Sequence, residues 1–336
     1  MPSESYEAYM RMNAADKRRI HKKMKTVFLY AGQGSQKAGM GKDLYEDFAT
    51  YRKVIDRLQI ETDIRYSMHD APLEELSKTE ITQPCMAAFA AGVTAVLKEH
   101  GIVPDAACGL SLGEYGALHA AGVFDAQEYV KLCEFRGRKM AEAAKGKSCA
   151  MSAILGQTAE AVKEACDASK EAGYVTVANY NCPGQYVICG EEAAVAATEN
   201  YLKEHGAKRC VRLNVSGPFH TKFMKPAGDA LQEYFEQMNW NKAQIPVVLN
   251  VTGAYLKADE NLKERMVQQV QNSVQFETSL RLLLDDGATE FVEIGPGNTL
   301  SGFLKKTAKE LGKEITIYNV ESSESLNALL NCFEGK

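Results

Sequence analysis

The sequence has no long apolar run, no dominant charge and no cysteine-pair motif. None of its apolar runs approaches the roughly 20 residues that a membrane-spanning helix needs, which argues against an integral membrane protein. Lys and Arg number 39 against 44 Asp and Glu, so the formal charge is −5. A general nucleic-acid binder would show a basic footprint instead. We therefore expect neither a membrane span nor a nucleic-acid partner.

Disulfides and structural zinc are also unsupported by the pattern. The nine cysteines are odd in number and scattered, without a C-x-x-C pair. Several lie in apolar runs, as Cys189 does in Val187-Ile188-Cys189. This usage is typical of reduced, buried cysteines, so we expect a cytoplasmic protein with no metal site.

Composition is that of an ordinary globular chain. Hydrophobic residues make up 45% and charged residues 25% of the 336 residues, enough for a sizeable core. Residues 1–24 form a basic N-terminal extension, and no apolar segment of the kind found in secretory signals follows it. A short helix packed on the body and a docking arm for an acidic partner are both open for this extension.

Two patterns of strands and helices divide the rest of the chain. Buried strands at 26–30 and 106–108 each end in a Gly-rich turn, residues 83–100 have helical spacing, and a helix is predicted at 114–121. Such units build a parallel sheet with covering helices. The sequence therefore predicts a large α/β domain of the α/β-hydrolase-like kind.

The middle of the chain has the order βαββαβ, which is typical of a small ferredoxin-like subdomain. Its predicted elements are strands at 150–155, 174–179, 185–189 and 209–215 and helices at 158–170 and 191–205. The α/β pattern then resumes, with strands at 247–251 and 290–294. We predict a large catalytic domain of residues 25–147 and 216–336 and an inserted small subdomain of residues 148–215.

Gly109-Leu110-Ser111-Leu112-Gly113 fits the G-x-S-x-G pattern between a predicted strand and helix. Small residues let the backbone crowd the serine, and the turn presents its hydroxyl at a helix N-terminus. There the backbone N–H of Leu112 can stabilise an oxyanion. The interpretation is a nucleophilic serine, with an ordinary strand–helix turn as the alternative.

A serine nucleophile needs a base, and the chain has six histidines. His220 follows a strand and the turn Ser216-Gly217-Pro218-Phe219, at a strand end where α/β sites lie. The others lie in the basic extension, at helix ends, in a polar stretch without a motif, or on the helix after the serine. His220 is the favoured base, and a structural histidine stays the alternative.

Seven ordered motifs extend beyond this serine. They are Gly32-Gln33-Gly34-Ser35-Gln36, Thr82-Gln83-Pro84, Ser111-Leu112-Gly113-Glu114-Tyr115, Arg136-Gly137, Asn181-Cys182-Pro183-Gly184-Gln185, Gly217-Pro218-Phe219-His220 and Glu293-Ile294-Gly295-Pro296-Gly297. Over about residues 25 to 310, the set resembles the malonyl-CoA:acyl carrier protein transacylases of fatty-acid synthesis and the related acyltransferase domains of polyketide synthases.

This resemblance implies a ping-pong acyl transfer. Ser111 would attack malonyl-CoA, and the phosphopantetheine thiol of holo acyl carrier protein would collect the malonyl group. His220 would act as base and then as acid, oriented by a backbone carbonyl at the position of Gln269. The backbone N–H groups of Gln33 and Leu112 would form the oxyanion hole. Malonyl-CoA enters as a substrate, and the resemblance implies no cofactor or metal.

Specificity is assigned through the same resemblance. A planar guanidinium can bind a carboxylate with two parallel hydrogen bonds, so Arg136 would hold the free carboxylate of malonate. Leu112 and Phe219 match the malonyl-selective pattern rather than the methylmalonyl-selective one. Substrate contacts are also assigned to Gln83 and Leu110, and Asn181 with Gln185 would shape the small-domain wall of the cleft.

Two features depart from the family pattern. The family usually has His before the serine, whereas this chain has Leu110, so we expect activity to survive with changed pocket polarity or selectivity. The basic extension is also longer than usual. For docking of acyl carrier protein, Lys305, Lys306 and Lys309 or the extension are candidates, with ordinary solvated lysines as the alternative.

Three other functions stay open. The same serine could serve a thioesterase or another hydrolase, although Arg136 and the Gln33 loop favour transfer. A trans-acting acyltransferase of a polyketide assembly line fits the same motifs. A non-catalytic module that binds carrier proteins is the third, and intact Ser111, His220 and Arg136 argue against it.

Overall fold

The computed structural model describes residues 26–213 and 217–334. The basic extension at 1–24, with its suggested helix or docking arm, lies outside these residues. So does the end of the strand predicted at 209–215.

Strands and helices alternate through most of the described chain. The strands are β1 (Thr26–Tyr30), β2 (Ala106–Gly109), β3 (Cys149–Leu155), β4 (Val175–Cys182), β5 (Gln185–Glu191), β6 (Arg209–Arg212), β7 (Val247–Leu249), β8 (Ala254–Tyr255), β9 (Val274–Gln275), β10 (Glu290–Ile294) and β11 (Thr316–Val320). The helices are α1 (Lys42–Asp47), α2 (Ala49–Arg57), α3 (Ile64–His69), α4 (Leu73–Leu76), α5 (Thr79–Glu99), α6 (Leu112–Ala120), α7 (Ala126–Ala144), α8 (Ala159–Ala168), α9 (Glu192–Glu204), α10 (Lys225–Glu236), α11 (Leu262–Gln269), α12 (Phe276–Asp285), α13 (Thr299–Glu310) and α14 (Ser323–Glu334).

The larger sheet has six strands in the order β11-β10-β1-β2-β7-β8. Its neighbours are parallel except for the antiparallel pair β7–β8. Strand β1 is buried along its whole length. Helices cover both faces of such a sheet, so a central strand reads as a continuous apolar run, which is why this strand was recognisable from sequence.

The smaller sheet has the order β6-β3-β5-β4-β9. Its first four strands are antiparallel and come from a βαββαβ segment, as the sequence predicts. The fifth strand, β9, lies outside that segment and pairs in parallel with β4. The predicted fold class, a large α/β unit with a parallel sheet and an inserted ferredoxin-like unit, is confirmed. The exact domain boundaries stay a prediction.

Helix α5 corrects one expectation about apolar runs. Over 21 residues it is long and apolar enough to cross a membrane by length and composition, and 78% of its most apolar window is buried inside the protein. That burial is typical of a core helix. It also begins at Thr79 rather than at residue 83, because Pro84 within its first turns obscures the start in the sequence.

Candidate active site

A cleft of about 500 Å³ opens between the two sheets. Its floor includes Gln33, which follows β1, and Ser111, which follows β2. Asn179 and Asn181 on β4 form part of the opposite wall. The carboxyl ends of parallel strands are where ligands bind in open α/β sheets, so this cleft is the candidate active site.

Ser111 lies on a strained turn between β2 and α6. Its φ of 55° and ψ of −104° are unusual for a residue with a side chain. Close packing imposes the turn: a Cβ on Gly109 would lie 2.0 Å from backbone atoms of Gly113, and one on Gly113 would lie 2.0 Å from the carbonyl oxygen of Tyr30. Residues held in such backbone conformations cluster at functional sites.

His220 is within hydrogen-bonding distance of the serine hydroxyl. Its Nε2 lies 2.7 Å from Ser111 Oγ, and its Nδ1 lies 2.9 Å from the main-chain oxygen of Gln269. A carbonyl only accepts, so Nδ1 carries the proton and Nε2 is free to accept from the serine. Burial, reinforced by the positive charge of Arg136, lowers the pKa of His220 to about 4. The ring is therefore neutral, and able to act as a base, at neutral pH.

The two residues assigned to the oxyanion hole come from two turns at the floor of the cleft. Leu112 is the first residue of α6, where backbone N–H groups have no partner within the helix. Gln33 lies in the loop after β1, and its side chain is tied down: Nε2 donates to Thr79 Oγ1 at 3.0 Å, and Oε1 accepts from Gln83 at 3.3 Å. The structure thus places Leu112 directly after Ser111 and Gln33 in the wall of the same cleft, while their role stays a prediction.

Arg136 is a buried cation beside Ser111. Only 1% of it is exposed, and its Nη2 donates to Gln269 Oε1 at 3.0 Å and to Ser111 Oγ at 3.3 Å. Its Nη1 donates to Gln83 Oε1 at 2.7 Å, and Tyr115 packs against the guanidinium. No salt bridge within residues 26–213 and 217–334 includes Arg136. A buried cation held by neutral amides is suited to receiving an anionic group.

The predicted substrate contacts divide into two groups. Leu110, Phe219 and Asn181 line the cleft, as does Gln185. Gln83, in contrast, is fully buried behind Arg136 and is not part of the cleft wall. Its amide oxygen accepts from the guanidinium, so in this structure Gln83 supports Arg136 rather than lining the cleft.

Sequence reasoning missed two buried residues, Asn250 and Glu114. Asn250 follows β7; its Oδ1 accepts from the backbone N–H of Ser111 at 2.7 Å, and its Nδ2 donates to Gly109 O at 2.7 Å. Glu114 is 1% exposed, and burial raises its pKa to about 7. The available signal was a polar residue directly after the apolar strand Val247–Leu249, at the same sheet edge as Ser111.

The mouth of the cleft carries one of the predicted docking lysines. Lys306 on α13 donates to Gln185 Oε1 at 3.2 Å, so this lysine links the large unit to the small sheet.

Across the part of the chain that the structure describes, no group of three or more His, Cys, Asp or Glu side chains could hold a metal ion.

Comparisons with known proteins agree on one family. A family model described as acyl transferase domain matches residues 27–328. The malonyl CoA-acyl carrier protein transacylase of Bacillus subtilis is 40% identical over 303 residues, covering 89% of this chain and 95% of the relative.

Solved structures agree with this chain in fold as well as in sequence. The malonyl CoA-acyl carrier protein transacylase of Clostridium perfringens has a TM-score of 0.88 at 36% identity, covering 93% of this chain and 98% of that one. A malonyl-transacylase solved in complex with its type II polyketide synthase acyl-carrier protein has a TM-score of 0.87 at 33% identity, covering 92% and 99%.

Proposed function

Because this chain belongs to the acyl transferase family, we propose that it transfers a malonyl group from malonyl-CoA to the phosphopantetheine thiol of acyl carrier protein. The observation that carries the proposal is the buried guanidinium of Arg136, 3.3 Å from the hydroxyl of Ser111. A malonyl thioester has a free carboxylate close to its reacting carbonyl, so one group can bind Arg136 while the other meets the serine. The names of the similar proteins support this substrate.

The first half-reaction loads the serine. Neutral His220 takes the hydroxyl proton as Ser111 Oγ attacks the thioester carbonyl. The negative charge that develops on the carbonyl oxygen is stabilised by the backbone N–H groups of Gln33 and Leu112. The tetrahedral intermediate then expels the CoA thiolate, which takes the proton from the imidazolium. The product is malonyl-Ser111 and free CoA.

The second half-reaction runs the same steps with a different thiol. His220 accepts the proton of the phosphopantetheine thiol, whose sulfur attacks the ester, and Ser111 regains its proton from the imidazolium. The main-chain oxygen of Gln269 keeps the ring in the required tautomer throughout. No cofactor enters this scheme. The nine free cysteines support a reducing, cytoplasmic location.

Intact-protein mass spectrometry after mixing with malonyl-CoA tests the proposal. We expect one added malonyl group on the wild type, lost on addition of holo acyl carrier protein, and none on Ser111→Ala. Arg136→Ala should lose preference for malonyl over acetyl groups, because the acetyl group has no carboxylate to bind. Steady release of free malonate without a carrier would show a hydrolase instead. No adduct and no turnover would support only a carrier-binding module.

A polyketide pathway is the second candidate for the carrier. It is favoured by the similarity to the malonyl-transacylase that was solved with a type II polyketide synthase carrier. Rates of malonyl transfer to fatty-acid and polyketide carrier proteins, measured with one preparation of the malonylated enzyme, distinguish the two. We expect the fatty-acid carrier to be the faster acceptor.

A further inference from the structure

Glu114 is a buried carboxylate one turn after the candidate nucleophile. Its two oxygens accept from different parts of the chain: Oε1 from the backbone N–H of Asn250 at 3.0 Å, and Oε2 from Gln269 Nε2 at 2.9 Å. Asn250 is fully buried and Gln269 is 1% exposed. The side chain of Glu114 is therefore linked to Ser111 and His220 through those two neighbours.

Both neighbours contact the residues that carry the reacting groups or the backbone beside them. Asn250 binds the backbone that leads into the serine turn, at Ser111 N and Gly109 O. Gln269 accepts from His220 with its main-chain oxygen and donates to Ser111 O with its side chain, at 2.7 Å. One carboxylate therefore joins the support of the nucleophile to the support of the base.

The position between the backbone N–H of Asn250 and the side-chain amide of Gln269 requires a group that accepts two hydrogen bonds. Each oxygen of the ionised carboxylate only accepts, and here each meets an N–H donor, which favours the ionised form against the burial that raises the pKa of Glu114. Gln269 has no freedom to turn its amide around, because its Oε1 accepts from Arg136 Nη2 at 3.0 Å. Ser111 and His220 both have positive φ, at 55° and 59°, and such strain persists only where surrounding contacts hold it.

We propose that Glu114 is a positioning residue for acyl transfer, which holds Asn250 and Gln269 so that Ser111 and His220 stay aligned. The inference rests on the proposed function. It assigns Glu114 no contact with substrate, so its loss should slow the loading of Ser111 itself and spare the selection of malonyl over acetyl groups by Arg136.

The test is the Glu114→Gln variant, with first-order malonylation of Ser111 measured by rapid-quench mass spectrometry at saturating malonyl-CoA. An amide in place of the carboxylate must point its NH₂ group at one of the two N–H donors. We expect loading about 10- to 100-fold slower, with the malonyl-to-acetyl preference retained. The matched control is Glu134→Gln: Glu134 is also buried and accepts backbone N–H groups, from Glu61 and Thr62, but lies outside the cleft wall. This control should load at the wild-type rate.

A second variant keeps the inference testable if Glu114→Gln does not fold. Gln269→Met removes the amide, with its contacts to Glu114, Arg136 and Ser111 O, but keeps the main-chain oxygen that accepts from His220. It should also slow loading, and the double variant should be no slower than Gln269→Met alone, because Gln269→Met already breaks the connection to Glu114. Loading of either single variant within about twofold of the wild type would overturn the inference. If the wild type itself gains no malonyl group, the proposed function fails instead.

Discussion

The structure holds Ser111 and His220 in unfavourable backbone conformations, and it buries the ionisable side chains of His220 and Arg136. Positive φ costs about 1–3 kcal/mol at residues such as Ser111 and His220, and burial makes both the imidazolium and the guanidinium costly. Neutral groups bind both residues: the main-chain oxygen of Gln269 accepts from His220, and the side-chain oxygens of Gln83 and Gln269 accept from Arg136. At the scale of single residues, the cleft is built for a reaction rather than for stability.

The buried His220 gives the free energy of unfolding a defined pH dependence. Its folded-state pKa of about 4 lies below the ordinary value near 6.5, so protonation favours the unfolded chain. The stability that the neutral ring contributes is present above about pH 6.5 and is lost as the pH falls through 4. Between pH 7 and pH 5 the loss is about 2 kcal/mol.

Replacement of His220 by Gln removes this loss. From pH 7 to pH 5, we expect the free energy of unfolding of His220→Gln to rise relative to that of the wild type by about 2 kcal/mol. Urea unfolding curves at the two pH values measure it. Glu114, with its raised pKa, titrates in both proteins and cancels in the comparison. A difference that does not change with pH would contradict the burial argument.

At the scale of elements, the strand–turn–helix unit β2–α6 is held closely by its neighbours on both sides. Strand β2 pairs with β1 on one side and β7 on the other, and the turn after it packs directly on the backbone of β1. Helix α6 begins at Leu112, two residues earlier than the sequence predicts, because Ser111 occupies the N-cap position. Ser111, the backbone N–H of Leu112 that is predicted to bind an oxyanion, and Glu114 are thus all placed by one turn.

Two glycine substitutions separate close packing from helix propensity. In Gly113→Ala the new Cβ would lie 2.0 Å from Tyr30 O, so we expect the free energy of unfolding to fall by about 3 kcal/mol, with loss of serine loading. In Gly302→Ala, on the exposed side of α13, the new Cβ meets nothing within 4 Å, and we expect a gain of about 1 kcal/mol. Denaturant titration of both variants checks this, and a mild effect at Gly113 would contradict the crowded turn.

At the scale of the whole molecule, the small sheet is joined to the large unit by strand pairing as well as by the two chain connections at its ends. Strand β9 follows α11 closely in sequence and pairs with β4 of the small sheet. Ser273, just before β9, also donates from Oγ to Val177 O at 2.6 Å. The segment that supports His220 through Gln269 therefore continues directly into the edge of the small sheet.

This shared edge predicts cooperative unfolding. Because the small sheet includes a strand from outside its own βαββαβ segment, we expect one calorimetric transition, with calorimetric and van't Hoff enthalpies in agreement. Differential scanning calorimetry of the full chain measures this. Two separate transitions would show that the β4–β9 pairing contributes little to the coupling between the sheets.

The sequence by itself determined what depends on neighbours along the chain. Apolar periodicity, turn residues and the G-x-S-x-G pattern predicted the parallel sheet, the βαββαβ unit and the turn that holds Ser111. Local backbone preferences and side-chain alternation are set within a few residues, so they are readable without coordinates.

Beyond the pairs that the resemblance implied, such as Ser111 with His220, tertiary structure alone decided which distant side chains meet. Asn250 reaches Ser111 across 139 positions, and Gln269 reaches Glu114 across 155. The same packing removed Gln83 from the cleft wall and placed it behind Arg136. Such contacts depend on how helices and strands pack against one another, and no local pattern records a hydrogen bond between residues so far apart in the chain.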